Sequence, residues 1–210
     1  EDIFCSSGSF AAIRTDGSVV TWGYAEFGGD SEDVQKELFD VQFIAATRCA
    51  FAALRKDGRV VAWGNPGCGG DSAVVEARLV DVRMVFASHC VFAAVTKTGT
   101  VVTWGDARCG GDSSAVAEQL QSVKEIQATE GAMAALKIDG TVVTWGEPDY
   151  GGDLTFDVLG VERVYSASAA FAALLRDGSV VTWGDPYSGG DNSQVAHELG
   201  QTQQICSTSG

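Results

Sequence analysis

The sequence predicts an all-β fold assembled from five copies of one unit, and three observations carry that expectation. The tryptophans Trp22, Trp63, Trp104, Trp145 and Trp183 are separated by 41, 41, 41 and 38 residues, and a fixed spacing of this size marks a repeat architecture. Each tryptophan closes a "VVTWG" or "VVAWG" string that leads through four variable residues to Gly-Gly-Asp. Ahead of each string stands an apolar segment ending in Asp-Gly, or Thr98-Gly99 in the third unit, which is the turn signal of a β-hairpin. The predicted units run over about 1–40, 41–81, 82–122, 123–160 and 161–202, with the start of a sixth at 203–210, in a single repeat domain spanning 1–210.

The third unit illustrates the elements. Arg83 to Ser88 is a short apolar run with counterparts in every unit, and it reads as a first strand. The segment "VFAAVTKTG" reads as a second strand entering a tight turn, where the glycine supplies the positive φ. In the third strand, "TVVTWG", Val101 and Thr103 face one side while Val102 and Trp104 face the other, so both sides are expected to be covered. The paired alanines of "FAAV" leave room for a large ring, and each tryptophan can bury about 150 to 250 Å² there. Asp112, with its counterparts Asp30, Asp71, Asp153 and Asp191, is predicted to cap a short helix. Val116 and Leu120, four apart, would share one face of that helix, as would Val34 with Leu38, Val75 with Leu79 and Val195 with Leu199. The fourth unit, "GGDLTFDVLGVERV", is three residues shorter, so its helix is expected to shrink to a turn.

The segment "AFAALRKDGRVVAWGNPGCGG", Ala50 to Gly70, resembles the repeat of the regulator of chromosome condensation (RCC) family. That repeat is a small-residue strand followed by D-G-x-V-x-x-W-G-x-N-x-x-G-Q-L-G, and the likeness covers all five units, roughly residues 1 to 200. The resemblance implies a β-propeller-like array, since the family's members are usually seven-bladed propellers. This is a divergent, shorter form: Asn follows Trp-Gly only at Asn65, Gly-Gln-Leu-Gly becomes Gly-Gly-Asp, and the second strand lacks the family's histidine. Its wording is similar to long tandem arrays in dinoflagellate algal proteins. The family's nucleotide-exchange activity does not carry over, because no residue matches the exchange machinery. The terminal "QQICSTSG" aligns Ile205 with Ile3 and Gly210 with Gly8, so either five blades close with a terminal overlap or the ring is incomplete, and a closed or nearly closed propeller is the favoured expectation.

With 14 basic and 28 acidic side chains the formal charge is −14 and the sequence pI about 4.3. That balance argues against nucleic acid, whose affinity rests on Lys and Arg neutralising phosphates, and against anionic membrane surfaces. It suits a basic partner or a solvated acidic surface. No apolar run approaches the roughly 18 residues of a membrane helix, so direct membrane insertion is not expected. The chain opens at Glu1 inside a repeat, which suggests a processed form or a fragment; a cytoplasmic or organellar location is expected, and the plastid among organelles is what the resemblance to algal repeat proteins implies. Six cysteines form no C-x-x-C pair, so neither zinc nor a redox dithiol is expected. Cys49 and Cys90 occupy equivalent positions in adjacent units and are expected to be free, while Cys5 with Cys206 is the pair worth testing.

The five Gly-Gly-Asp carboxylates could be read as a calcium ring, but calcium takes six to eight oxygens, and capping is the expected role. The Gly-Gly pairs lack the Lys-Ser/Thr of a phosphate cradle, the two histidines His89 and His197 sit at unrelated positions, and no G-x-S-x-G is present. No catalytic residue, metal site or cofactor is therefore expected. Function should lie where the units differ, because repeated residues build the framework and loops carry contacts. The candidate partner-binding residues are Tyr24, Phe27, Asp106, Arg108, Tyr150 and Tyr187. The sequence thus points to a non-catalytic interaction scaffold, or an accessory subunit of a larger assembly. Regulation of a small GTPase by family analogy and a carbohydrate-binding lectin are the alternatives.

Overall fold

Each unit folds as a three-stranded antiparallel sheet in chain order, and five such sheets occupy residues 2–208, the part that this computed structural model describes. Blade 1 holds β1 (Ile3–Cys5), β2 (Ser9–Ile13) and β3 (Val19–Gly23). Blade 2 holds β4 (Val41–Ala46), β5 (Ala50–Arg55) and β6 (Val60–Gly64), and blade 3 holds β7 (Val82–Ala87), β8 (Val91–Thr96) and β9 (Val101–Gly105). Blade 4 follows with β10 (Val123–Ala128), β11 (Ala132–Lys137) and β12 (Val142–Gly146), and blade 5 with β13 (Val161–Ser166), β14 (Ala170–Leu175) and β15 (Val180–Gly184).

The hairpin signal works as local chemistry dictates. Asp16, Asp57, Asp139 and Asp177 each accept, through Oδ1, the N–H two residues on, at 2.9 to 3.1 Å. The following glycine takes φ between 80° and 84° in all five units, a region open to it at little steric cost. In the third unit the aspartate is Thr98, and hydroxyls of Thr96, Thr98 and Thr100 bond one another instead. The glycine carbonyl then accepts from the first strand of the next unit: Val41 N–H to Gly17, Val82 to Gly58, Val123 to Gly99 and Val161 to Gly140, at 2.9 to 3.0 Å. Hairpin turns therefore also join neighbouring blades.

The cores lie between blades, not within them. Ala52, Ala53, Ala93, Ala94, Ala134 and Ala135 are fully buried, since both faces of the middle strands are covered. Opposite them, Phe51 pairs with Trp63, Phe92 with Trp104 and Phe171 with Trp183, stacked with ring centroids 5.2 to 5.3 Å apart. Each of these indoles, with Trp145, also reaches back to the preceding blade. Nε1–H donates to the carbonyl of the first glycine of Gly-Gly-Asp: Trp63 to Gly28, Trp104 to Gly69, Trp145 to Gly110 and Trp183 to Gly151, at 2.9 to 3.1 Å. At Gly69 the φ is 85°, and an added Cβ would lie 2.7 Å from the Phe92 ring, so only glycine brings its carbonyl to the indole.

Two expectations are corrected. The short helices are single 3₁₀ turns, at Glu32–Val34, Glu76–Arg78, Ser114–Val116 and Ala196–Glu198. Asp112 does not cap one: its Oδ1 closes a turn on Ser114 N–H at 2.9 Å, as Asp30, Asp71 and Asp191 do two residues on at 2.8 to 2.9 Å. A two-turn helix gains too few hydrogen bonds to offset its nucleation cost. The Val-to-Leu spacing still places Leu38, Leu79 and Leu120 in the core. In the fourth unit Leu154 N–H donates to Thr144 Oγ1, and no helical turn follows before Val161 among the described residues. The expected closure is also absent: Trp22 is 43% exposed, and a Cβ on Gly189 would meet nothing within 4 Å. Thr202 N–H does bond Gly178 O at 2.9 Å, as Val41 N–H bonds Gly17 O, but no strand follows it among the described residues, and Gly210, matched with Gly8, lies outside them.

Candidate partner-binding surface

The variable tetrapeptides leave the third strands at one rim of the array. Each makes a single 3₁₀ turn, at Ala25–Phe27, Pro66–Cys68, Ala107–Cys109, Pro148–Tyr150 and Pro186–Ser188, ended by a glycine with positive φ. Where the first residue carries a short acceptor, the turn is pinned. Asn65, Asp106 and Asp185 accept, through Oδ1, the N–H two residues on, at 2.9, 3.0 and 3.3 Å. Such pinned turns hold their second and third residues toward solvent with little freedom left to lose on binding.

The six candidates divide by depth. Tyr187 is fully exposed and Tyr24 is 73% exposed. Arg108 is also outward, its Nη2 3.1 Å from Asp106 Oδ2. That side-chain bond, with the Arg108 backbone N–H, holds the Asp106 carboxyl below the usual range. Phe27 and Tyr150 are instead half-buried and turned inward. An added Cβ at Gly8 would lie 3.0 Å from the Phe27 ring, and one at Gly131 would lie 2.8 Å from the Tyr150 ring. Their carbonyls are fixed too, accepting from Ser6 Oγ at 2.9 Å and Thr129 Oγ1 at 3.0 Å. These two aromatics fill space between loops and offer a partner only an edge.

That inward position carries a signal that reading unit by unit misses. The fourth loop residue and the residue just before the second strand pair as Phe27 with Gly8, Cys68 with Cys49, Cys109 with Cys90, Tyr150 with Gly131 and Ser188 with Ala169. A large ring thus stands opposite glycine and a small side chain opposite a small one, as close packing requires. The cysteines are consequences of this fitting. All six are free, including Cys5 and Cys206, and Cys68 Sγ stands 3.1 Å from Cys90 Sγ of the next blade. Burial and the neighbouring thiols push the Cys68 thiol up to about 12.

The loops before the second strands gather toward the interior of the array. Ser7 N–H donates to Arg48 O, Arg48 N–H to His89 O and Glu130 N–H to Ser168 O, each at 2.9 Å. Arg48 Nη1 lies 3.1 Å from His89 Nε2, so His89 is engaged in this inter-blade contact. His197 lies elsewhere, 3.4 Å from Glu198 on an exposed turn. Among the described residues no three His, Cys, Asp or Glu side chains stand close enough to hold a metal ion. Among the described residues no helix is long and apolar enough to cross a membrane.

No family model and no curated protein matches the chain. Solved structures do. The chain is similar to human WBSCR16 at 16% identity and a TM-score of 0.58, over 87% of this chain and 61% of that one. It is similar to yeast RCC1 (Prp20), solved bound to Kap60, at 17% identity and a TM-score of 0.59, over 87% and 55%. It is also similar to the ectodomain of the Physcomitrella patens receptor kinase CR4 at 14% and 0.56, over 87% and 51%. The fold is an RCC1-like β-propeller array. The chain spans less than two thirds of each of these propeller chains. At such identities the likeness concerns the fold alone.

Proposed function

We propose that this chain is a non-catalytic protein-interaction module that binds its partner through the rim of variable loops. The observation that supports this most directly is the outward presentation of Arg108 and Tyr187 on turns pinned by Asp106 and Asp185, with Tyr24 exposed on the equivalent turn of blade 1. Tyrosine and arginine are the side chains that most often anchor protein interfaces. The charge of −14 favours a basic partner. Protein binding by similar propellers supports the class: yeast Prp20 is described bound to Kap60, and its binding to Gsp1p and to histones has been examined. The role of accessory subunit, in a plastid assembly in particular, rests on the algal likeness of the repeat.

Affinity capture from the native source with the wild-type chain and with a Tyr24→Ala, Arg108→Ala, Tyr187→Ala variant tests the proposal. A partner retained by the first and lost by the second is expected. Equal retention by the folded variant would refute the loop-rim assignment. Guanine-nucleotide exchange is the second reading, favoured by the RCC resemblance, and accelerated nucleotide release from a GTPase would support it. Binding on a glycan array would favour the lectin reading instead.

A further inference from the structure

Four thiols gather where blade 2 joins blade 3, inside the array and flanked by blades 1 and 4. Cys49 and Cys68 belong to blade 2, Cys90 and Cys109 to blade 3, and each pair takes the same two positions of its unit, the residue before the second strand and the fourth residue of the variable loop. Close fitting explains why these four side chains are small. It does not explain sulfur, because blade 5 meets the same requirement with Ala169 and Ser188. The decisive contact runs across the blade boundary. Cys68 Sγ stands 3.1 Å from Cys90 Sγ, although the two residues are 22 apart in sequence and lie on different blades. No C-x-x-C spacing announces such a pair.

Both backbones are anchored. Thr47 Oγ1 donates to Cys68 O and Cys68 N–H to Asn65 O, each at 3.0 Å, while Asp106 N–H donates to Cys90 O at 3.1 Å. A disulfide of about 2.05 Å therefore asks these sulfurs to close by only about 1 Å. Their surroundings differ. Cys68 is 8% exposed and Cys49, on its other side, is 6% exposed, whereas Cys90 is half-buried and so the more accessible of the pair. The Arg48 guanidinium stands beside the group, nearest Cys49, and interaction with Cys49, Cys90 and Cys68 raises its own pKa. A cation so placed favours the anionic sulfur of an attacking thiol.

We propose that Cys68 and Cys90 form a redox couple, in which Cys90 reacts first with a hydroperoxide and the two sulfurs then join in a disulfide that staples blade 2 to blade 3. The Cys90 thiolate attacks the terminal oxygen of the hydroperoxide, the O–O bond breaks, and the departing alkoxide or hydroxide takes up the proton that the thiol gave. The Cys68 sulfur next displaces hydroxide from the Cys90 sulfenic acid, and its own proton leaves with that hydroxide as water. Two thiols lose two electrons, and the hydroperoxide accepts them. Burial screens Cys68 from the oxidant yet leaves it in contact with the sulfenic acid, so the intermediate is consumed before further oxidation.

Treatment of the full chain with hydrogen peroxide, followed by alkylation of free thiols and tryptic digestion without reductant, tests the proposal. The four cysteines fall on separate peptides, Cys49 on 49–55, Cys68 on 60–78, Cys90 on 84–97 and Cys109 on 109–124. A cross-link between 60–78 and 84–97 is expected, and a dithiol reductant should reverse it. Closing a 22-residue loop should raise Tm by roughly 6–12 °C over the reduced chain. Cys68→Ser and Cys90→Ala copy the residues of blade 5, so both should melt near the reduced wild type and gain nothing on oxidation. In Cys68→Ser, dimedone should label Cys90 as its sulfenic acid, whereas in Cys90→Ala the Cys68 thiol should stay reduced. Cys49→Ala should retain the cross-link.

A bond from 60–78 to 49–55, or from 84–97 to 109–124, would overturn the proposal, since the disulfide would then lie within a blade. Dimedone labelling of Cys68 in Cys90→Ala would reverse the assigned order of attack and refute it. Wild-type Cys90 carried on to sulfinic acid beside a free Cys68 would do the same. So would peroxide that oxidises the exposed Cys5 and leaves all four of these thiols open to alkylation. Loss of Tyr24, Arg108 and Tyr187 side chains should leave the cross-link intact, so this proposal and the loop-rim function stand or fall separately.

Discussion

Trp104→Phe and Trp22→Phe are the same substitution in the same repeat position, and the structure predicts very different costs. Trp104 is 4% exposed, stacks on Phe92 and donates to the Gly69 carbonyl at 2.9 Å. Phenylalanine there leaves a buried acceptor without its donor, at about 1–3 kcal/mol, and removes part of a large buried ring, at about 1–2 kcal/mol more. The sum is about 2–5 kcal/mol, or roughly 4–20 °C in Tm for a chain of this size. Trp22 also stacks, on Phe10, but stands 43% exposed, and its indole N–H has no protein acceptor among the described residues. Its replacement should cost the monomer under about 1 kcal/mol. Urea unfolding measures both. Equal costs would show that stacking within a blade, not the bond between blades, carries the stability, and would refute the reasoning.

Other perturbations probe the same framework. Gly69→Ala should destabilise by several kcal/mol, because its Cβ would lie 2.7 Å from Phe92, whereas Gly189→Ala, with the same sign of φ and open space, should cost only about 1 kcal/mol; matched thermal unfolding of the two checks this. Gly131→Ala should push against Tyr150, and the double change Gly131→Cys with Tyr150→Cys should recover much of the lost stability by copying units 2 and 3, as a double-mutant cycle would measure. The Cys68 thiol is raised from 9.0 to about 12 in the fold, so the folded state holds that proton more tightly than the unfolded state. Its contribution is therefore complete below about pH 9 and lost as pH rises toward 12, and wild-type stability should fall more across that window than that of Cys68→Ala.

What the sequence made legible were features whose cause is local. Period-two alternation around Val101 to Trp104 and the Asp-Gly turns depend on neighbours a few residues away, and both strands and hairpins stand where they were expected. The helix after Gly-Gly-Asp was misread because Asp112-Ser113 and the Val116-to-Leu120 spacing fit an α-helix as well as they fit linked 3₁₀ turns. Only the shortness of the connection to Val123 decides between them. The candidate residues do lie in the loops after the third strands, but the direction of their side chains was not visible. Whether Phe27 faces a partner or Gly8 depends on a residue nineteen positions earlier, and that relation emerges only when equivalent positions are compared in pairs.

The motif kept through all five units is thereby explained without assigning it a ligand. In "VVTWGDARCGGD" the tryptophan belongs to the interface with the preceding blade and the first glycine of the pair to the interface with the following one, so one string carries half of two contacts. A change at either residue is felt across a blade boundary, and neither can vary without a matching change one repeat away. The variable residues between them are freed from that coupling at their second and third positions and held by it at the fourth, where Phe27, Cys68, Cys109 and Tyr150 must fit the preceding loop. The freedom to vary is therefore confined to two side chains per loop, which is where Tyr187 and Arg108 stand, with Tyr24 joining them because the first position in its loop makes no capping bond.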